Sequence, residues 1–242
     1  AFDADVVIFH DGLPRDQEAA FRTLWPRCLF RTFNRASVSA QLRVTGDHAR
    51  MARFLAKYSP LVMAKLDLPD LLDAYTKVVW LDADIMVQGS LGPIWEFDCL
   101  AWRPLPKGAF ARREAAIAAF SDRRLDPDVP LLNGGVIGVA RGFIERGGSA
   151  AIIRDLAREF VDRAPPFQFD EMPWYLAAAS LGLPVTRLPL RFNHPVGYAG
   201  AEDAVVVHAI GAQKFWNAAP LLRRFPDWSL HQARWVACGG KA

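Results

Sequence analysis

Cysteine is scarce in this chain. Cys28, Cys99 and Cys238 are three in 242 residues. An odd, widely spaced set offers neither a disulfide framework nor a zinc spacing, so a reducing, cytoplasmic setting is expected. Charge of one sign is also lacking: 29 Lys and Arg against 26 Asp and Glu leave a net +3. That does not suggest a nucleic-acid binder, which would show a concentrated basic stripe. No run of about 18 apolar residues occurs, so no membrane-spanning helix is expected, and no signal peptide is evident. Repeats and low-complexity linkers are missing too. What remains is 52% apolar and 23% charged, the balance of one large α/β domain with a sizeable core.

The pattern of that domain alternates. Ala4 to His10 reads as a buried strand, followed by a helix over about Asp16–Trp25 and a strand over Leu29–Phe33. Ser59-Pro60 has the form of an N-cap with Pro at the first helical position, opening a helix to about Leu72. Further strands are expected at Val78–Leu81, Leu100–Arg103, Val136–Ala140, Val185–Leu188 and Ala204–Val207. Ser149–Arg163 is a periodic helix with Ile152, Leu156, Phe160 and Val161 on one side. Asp170–Leu181 reads as another, interrupted near its start by Pro173. Strands alternating with helices imply a three-layer α/β/α arrangement around a mostly parallel sheet.

Asp-x-Asp occurs three times, at Asp3/Asp5, Asp82/Asp84 and Asp126/Asp128. Only the middle pair ends an apolar strand, where α/β proteins place their ligands. Residues two apart on a strand point the same way, roughly 6.5 Å apart, so Asp82 and Asp84 can converge on one cation. A turn cap before Gly89-Ser90 would need one carboxylate, whereas two repel each other without a cation between them. The other two pairs read as surface acids. Near the far end of the chain, Val205-Val-Val-His208 is a strand closing on an imidazole. If it ends beside the acid pair, the N/O ligand set favours Mn²⁺ or another transition ion over Mg²⁺. Gly211 would let the backbone approach a phosphate, and Lys214 would serve as a point charge on it. Taken singly, His208 is an ordinary strand-end histidine and Lys214 a solvated lysine.

In order along the chain, these segments resemble glycosyltransferase family 8. This is the retaining, nucleotide-sugar-dependent family that includes bacterial lipopolysaccharide galactosyl- and glucosyltransferases and glycogenin. Lys77-Val-Val-Trp-Leu-Asp82-Ala-Asp84 is similar to its Asp-x-Asp strand, and Leu132-Asn133-Gly134-Gly135-Val136 to its Phe-Asn-Ala-Gly-Val element. Phe169-Asp170-Glu171 stands where the family has Asp-Gln-Asp. Arg191-Phe192-Asn193 resembles its aromatic-Asn element, and His208-x-x-Gly211-x-x-Lys214-x-Trp216 its last signature. The resemblance implies a GT-A fold in which Asp82, Asp84 and His208 hold Mn²⁺ bridged to a UDP diphosphate. Gly211 and Lys214 would contact that diphosphate, while Asn133, Asp170 and Glu171 would face the donor sugar as catalytic residues. Lys65 stands where the family usually has an Arg near the donor, with less capacity for bidentate contact.

The chain departs from the pattern in places. Glu171 and Met172 replace a Gln and an Asp, which raises the prospect of Glu171 as nucleophile or charge stabiliser. Leu132 replaces an aromatic residue. Ala4 to Gly12 resembles the family's second strand, so the first nucleotide-binding strand and helix is expected either to precede this sequence or to be replaced by another arrangement. The expected organisation is one GT-A-like unit over residues 1–242 with a helical tail over 217–242. The expected partners are a UDP-hexose donor and a saccharide or glycolipid acceptor. The tail carries Arg223, Arg224, Phe225, Trp228, Arg234 and Trp235, which suits either peripheral membrane contact or packing of the tryptophans on the domain. Two other classes fit less well. An Asp-nucleophile phosphatase would use Asp82 on phosphorus, but its motif runs on with Gly-Thr rather than Ile85-Met86. A degenerate binding domain would keep the fold without the transfer.

Overall fold

The computed structural model describes residues 4–42, 49–57, 59–105, 114, 117–163 and 169–241. The chain opens with strand β1 (Val6–His10), helix α1 (Arg15–Leu24), strand β2 (Cys28–Thr32), and helices α2 (Arg35–Leu42) and α3 (Ala49–Lys57). A 3₁₀ stretch over Pro60–Asp73 leads into β3 (Lys77–Leu81) and β4 (Ile85–Val87). Then come β5 (Leu100–Pro104), β6 (Leu132–Ala140), and helices α4 (Arg141–Glu145), α5 (Ala150–Arg163) and α6 (Met172–Leu181). The last part holds β7 (Val185–Arg187), β8 (His194–Pro195) and β9 (Val206–His208), then α7 (Ala219–Arg224) and α8 (Asp227–Ala237).

Three sheets result, ordered β1-β2, β3-β6-β5-β7 and β4-β9-β8. The strand pairing is more mixed than a mostly parallel sheet. β3 and β5 both run antiparallel to β6, and β4 runs antiparallel to β9. The β1-β2, β5-β7 and β8-β9 pairs are parallel. Alternation of strands and helices reveals layering, but strand direction depends on where each connection crosses, and long connections hide that from local pattern.

β6 is the centre. Its alternate residues serve two cores: Ile137 and Val139 pack with α5, α6 and the 3₁₀ stretch, while Val136 and Ala140 pack with Ile94, Phe97 and Val206 on the other face. Both faces are covered, which is why the strand reads as an unbroken apolar run. Fully buried Trp102, Trp174, Phe143 and Phe160 fill the larger core.

Two local expectations change form. Ser59 does cap its segment, accepting the Leu61 N–H at 3.2 Å. The segment is nevertheless 3₁₀, with Pro69 inside it and therefore one backbone donor short. Pro173 does not interrupt α6; it stands in its first turn, where a missing N–H costs nothing. Of the other acid pairs, Asp3 lies outside the described residues. Asp5 bonds Arg27 and Tyr75, and Asp126 accepts the Asp128 N–H in a turn.

Candidate metal centre and donor site

β3 delivers Asp82. The Asp82 N–H donates to Gly135 O at 3.0 Å, carrying the β3-β6 ladder one residue past the strand. A turn then brings Asp84 to the start of β4, whose first residue, Ile85, pairs with His208 at the end of β9. The Ala209 N–H donates to Asp84 O at 3.0 Å, locking that pairing from the other side. The register therefore sets the imidazole beside the two acids.

One ligand atom each from Asp82, Asp84 and His208 lies within 4.8 Å of the others. His208 Nε2 is 3.1 Å from Asp84 Oδ1 and 3.7 Å from Asp82 Oδ2. Adjacent corners of an octahedron with bonds of about 2.1 Å are roughly 3 Å apart; the His208–Asp84 separation matches that edge and the His208–Asp82 separation is wider, so the three atoms would draw in slightly around a small divalent cation.

The hydrogen bonds behind the imidazole fit the same group. Asn193, fully buried, donates through Nδ2 to Asn133 Oδ1 at 2.7 Å and to the Asn133 carbonyl at 3.4 Å. A carbonyl only accepts, so the amide orientation is set and Asn193 Oδ1 faces His208 Nδ1 at 2.9 Å. That oxygen takes the Nδ1 proton, leaving Nε2 with its lone pair toward two carboxylates. Such an arrangement repels unless a cation or a proton lies between, and outer partners of this kind orient metal-bound histidines.

Gly135 makes room for this. A Cβ there would stand 2.2 Å from both Cε1 and Nδ1 of His208. At Gly134 it would stand 2.7 Å from Glu171 Cγ. Paired glycines inside a buried strand are the sequence sign of such close approach.

The charges around the triad are tied down. Lys65, 2% exposed, reaches Asp170 Oδ2 at 2.8 Å and Asp82 Oδ1 at 3.0 Å. Burial works against its charge, but Asp170, Asp82 and Glu171 more than offset that and hold the ammonium above the usual lysine range. Its charge is thus spent on neighbouring carboxylates. Asp82 Oδ1 also accepts the Trp80 indole N–H at 2.6 Å, leaving Oδ2 toward His208. Lys214 bonds Asp84 Oδ2 and donates to Ala209 O at 2.6 Å. Burial pushes the Asp84 carboxyl up; with a proton rather than a cation on His208 Nε2, the hydrogen bonds and charges of His208 and Lys214 overcome that to bring it to about 2.

Gly211 has φ +94° and open space where a Cβ would be. Here glycine is needed for a left-handed turn, which brings the chain back so that Lys214 meets Asp84. Glu171, buried, accepts the Gly134 N–H on Oε1 at 2.6 Å. Every residue singled out from the sequence is thus within one connected neighbourhood. Sequence reasoning passed over Trp80, the orienting role of Asn193, and Arg103. The strand-partner position of Arg103, opposite Asn133, has no local signature.

The model of glycosyl transferase family 8 matches residues 1–101. The family 8 match includes Asp82 and Asp84 and ends before His208. No curated protein matches the chain by sequence. Among solved structures, it is similar to the galactosyltransferase LgtC in complex with donor and acceptor sugar analogs, with TM-score 0.57 and 17% identity over 94% of this chain and 96% of that one. It is also similar to the bifunctional glycosyltransferase WbbM in its apo structure, with TM-score 0.56 and 17% identity. That alignment covers 88% of this chain, which spans only 41% of the WbbM chain. Mouse xyloside xylosyltransferase 1 follows with TM-score 0.51 and 11% identity, over 85% and 84% of the two chains. The fold is GT-A. The family model covers fewer than half of the residues, and the structural likenesses, at 17% identity or less, show the fold alone.

Proposed function

We propose that this protein transfers a hexose from a UDP-sugar to a saccharide or glycolipid acceptor with retention at the anomeric carbon, using Mn²⁺ held by Asp82, Asp84 and His208. The observation that carries the reading is the convergence of two carboxylates and a lone-pair-bearing imidazole nitrogen, with a lysine ammonium alongside. The ion would supply positive charge where the diphosphate departs, the point at which electrostatic stabilisation has most leverage.

The protein's own groups have distinct tasks in this reading. Lys214 lies on the outer side of Asp84 and adds a second positive charge toward the leaving diphosphate. Lys65 fixes Asp82 and Asp170 in place through its two ion pairs. Gly211 shapes the loop that returns Lys214. Asn133, Asp170 and Glu171 line the side of the triad where the transferred sugar would lie. Glu171 is held by the Gly134 N–H, so its carboxylate is positioned whether it attacks the anomeric carbon or stabilises positive charge there. Glu171→Gln separates the two roles, since retained transfer rules out attack.

The decisive experiment titrates Mn²⁺ into the protein and into Asp84→Asn, with and without UDP. Weakened binding in the variant supports the centre; equal affinity removes it. A weaker reading adds peripheral membrane contact through the tail. α8 has no buried residue, and Trp216, Leu230 and Val236 are exposed near Arg223 and Arg234. Against it, Trp228 stacks on Phe215 and Trp235 packs on Phe21, both inward contacts. Flotation with anionic liposomes, before and after removing residues beyond 217, decides this point.

A further inference from the structure

Arg103 is buried with a donor that meets no acceptor. Its side chain is 7% exposed, and its Nε has no hydrogen-bond partner. Among the described residues, no other charged side chain has a buried polar atom in that condition. A guanidinium is planar, permanently charged and equipped with five N–H donors. Burying it without acceptors is costly. Its electrostatic neighbours are Tyr198 and Glu171; Glu171 balances the charge, and neither supplies an acceptor to Nε.

Position gives the reason. Arg103 is the strand partner of Asn133 across β5 and β6, at the point where the register shifts between Trp102 and Arg103. Partners across an antiparallel pair project from the same face, and a bulge re-aims a side chain, often beside an active site. Steps along β6 then form a ruler. Gly135 lies against His208, Gly134 against Glu171, and Asn133 opposite Arg103. The same short stretch of β6 thus serves the triad, Glu171 and Arg103.

We propose that Arg103 is a donor-sugar-contacting residue, whose guanidinium takes hydroxyl oxygens of the hexose carried by the nucleotide. This rests on the transferase reading and adds to it the group that distinguishes a nucleotide sugar from the bare nucleotide. The sugar oxygens supply the acceptors that the protein withholds, while Glu171 keeps the cation electrically balanced.

The test is calorimetric, with Mn²⁺ present, comparing UDP, UDP-glucose and UDP-galactose on wild type, Arg103→Met and Arg103→Lys. Arg103→Met should leave the UDP Kd within about twofold. It should weaken the better-bound UDP-hexose about tenfold or more, the scale of a lost charged hydrogen bond. Arg103→Lys, which keeps charge but not the fork, should fall between. Equal loss for UDP and UDP-hexose overturns the proposal, because that marks a structural disturbance. An unchanged UDP-hexose affinity overturns it as well. Should Arg103→Met fail to give a folded melting transition, Arg103→Lys decides alone by the same two criteria. Failure of wild type to bind UDP at all refutes the transferase reading itself, and this inference falls with it.

Discussion

Gly135→Ala acts directly on the packing of His208. The added Cβ would sit 2.2 Å from two ring atoms of His208 and 3.2 Å from Asn193 Oδ1. Ordinary contact starts near 3.4 Å, so the ring must retreat by roughly 1 Å. The backbone is held on the β3 side, where the Gly135 carbonyl accepts the Asp82 N–H, so the strain falls chiefly on the ring. Metal sites tolerate ligand displacements of about 0.2 Å, so His208 is lost as a ligand. Disturbing even an outer partner typically costs about 10–100-fold in metal affinity. Gly135→Ala should therefore weaken Mn²⁺ by about 100-fold, while overpacking costs roughly 1–3 kcal/mol of stability. Gly138→Ala is the matched control: its Cβ would meet Phe97 at 2.6 Å in the core, so it should lose comparable stability and keep Mn²⁺ affinity. Mn²⁺ titration followed by electron paramagnetic resonance, beside thermal melts, reads both quantities. Mn²⁺ affinity in Gly135→Ala within twofold of wild type would refute the account of how the centre is built.

Three further outcomes follow from the same geometry. Asn193→Ala removes the acceptor that sets the His208 tautomer, so Mn²⁺ affinity should drop about 10–100-fold, with Asn193→Asp restoring part of it. Lys65→Met leaves Asp82 and Asp170 facing each other in a buried place without their cation. Denaturant titration should show a loss of about 2–4 kcal/mol, less than for a fully buried pair because both carboxylates are partly exposed; a loss below 1 kcal/mol would contradict the pairing. For metal-free protein, the Asp84 carboxyl is depressed from 3.8 to about 2, so its contribution to stability is present above pH 3.8 and disappears as pH falls toward 2. Between pH 5 and 2 this amounts to at most about 2 kcal/mol, and the corresponding slope should flatten in Asp84→Asn.

The groups that converge were legible in the chain itself. Lys77–Leu81 announces a strand covered on both faces, and Asp82 and Asp84 at its end announce a place for a cation. These are local properties, since period and strand-end position are written within a few residues. The sequence order also displayed the Gly134-Gly135 pair, though not which ring would fill the space beside it.

Tertiary structure alone decided how the parts meet. The pairing of Ile85 with His208 joins segments more than a hundred residues apart, and such register leaves no periodic trace in either one. The same holds for the Asn133–Asn193–His208 hydrogen bonds and for Lys65, whose burial between Asp82 and Asp170 depends on the 3₁₀ stretch packing against β3. Strand direction escaped as well, because alternation fixes layers while the path of each connection fixes orientation. Local sequence determines which groups are available; close packing of distant strands determines which of them meet.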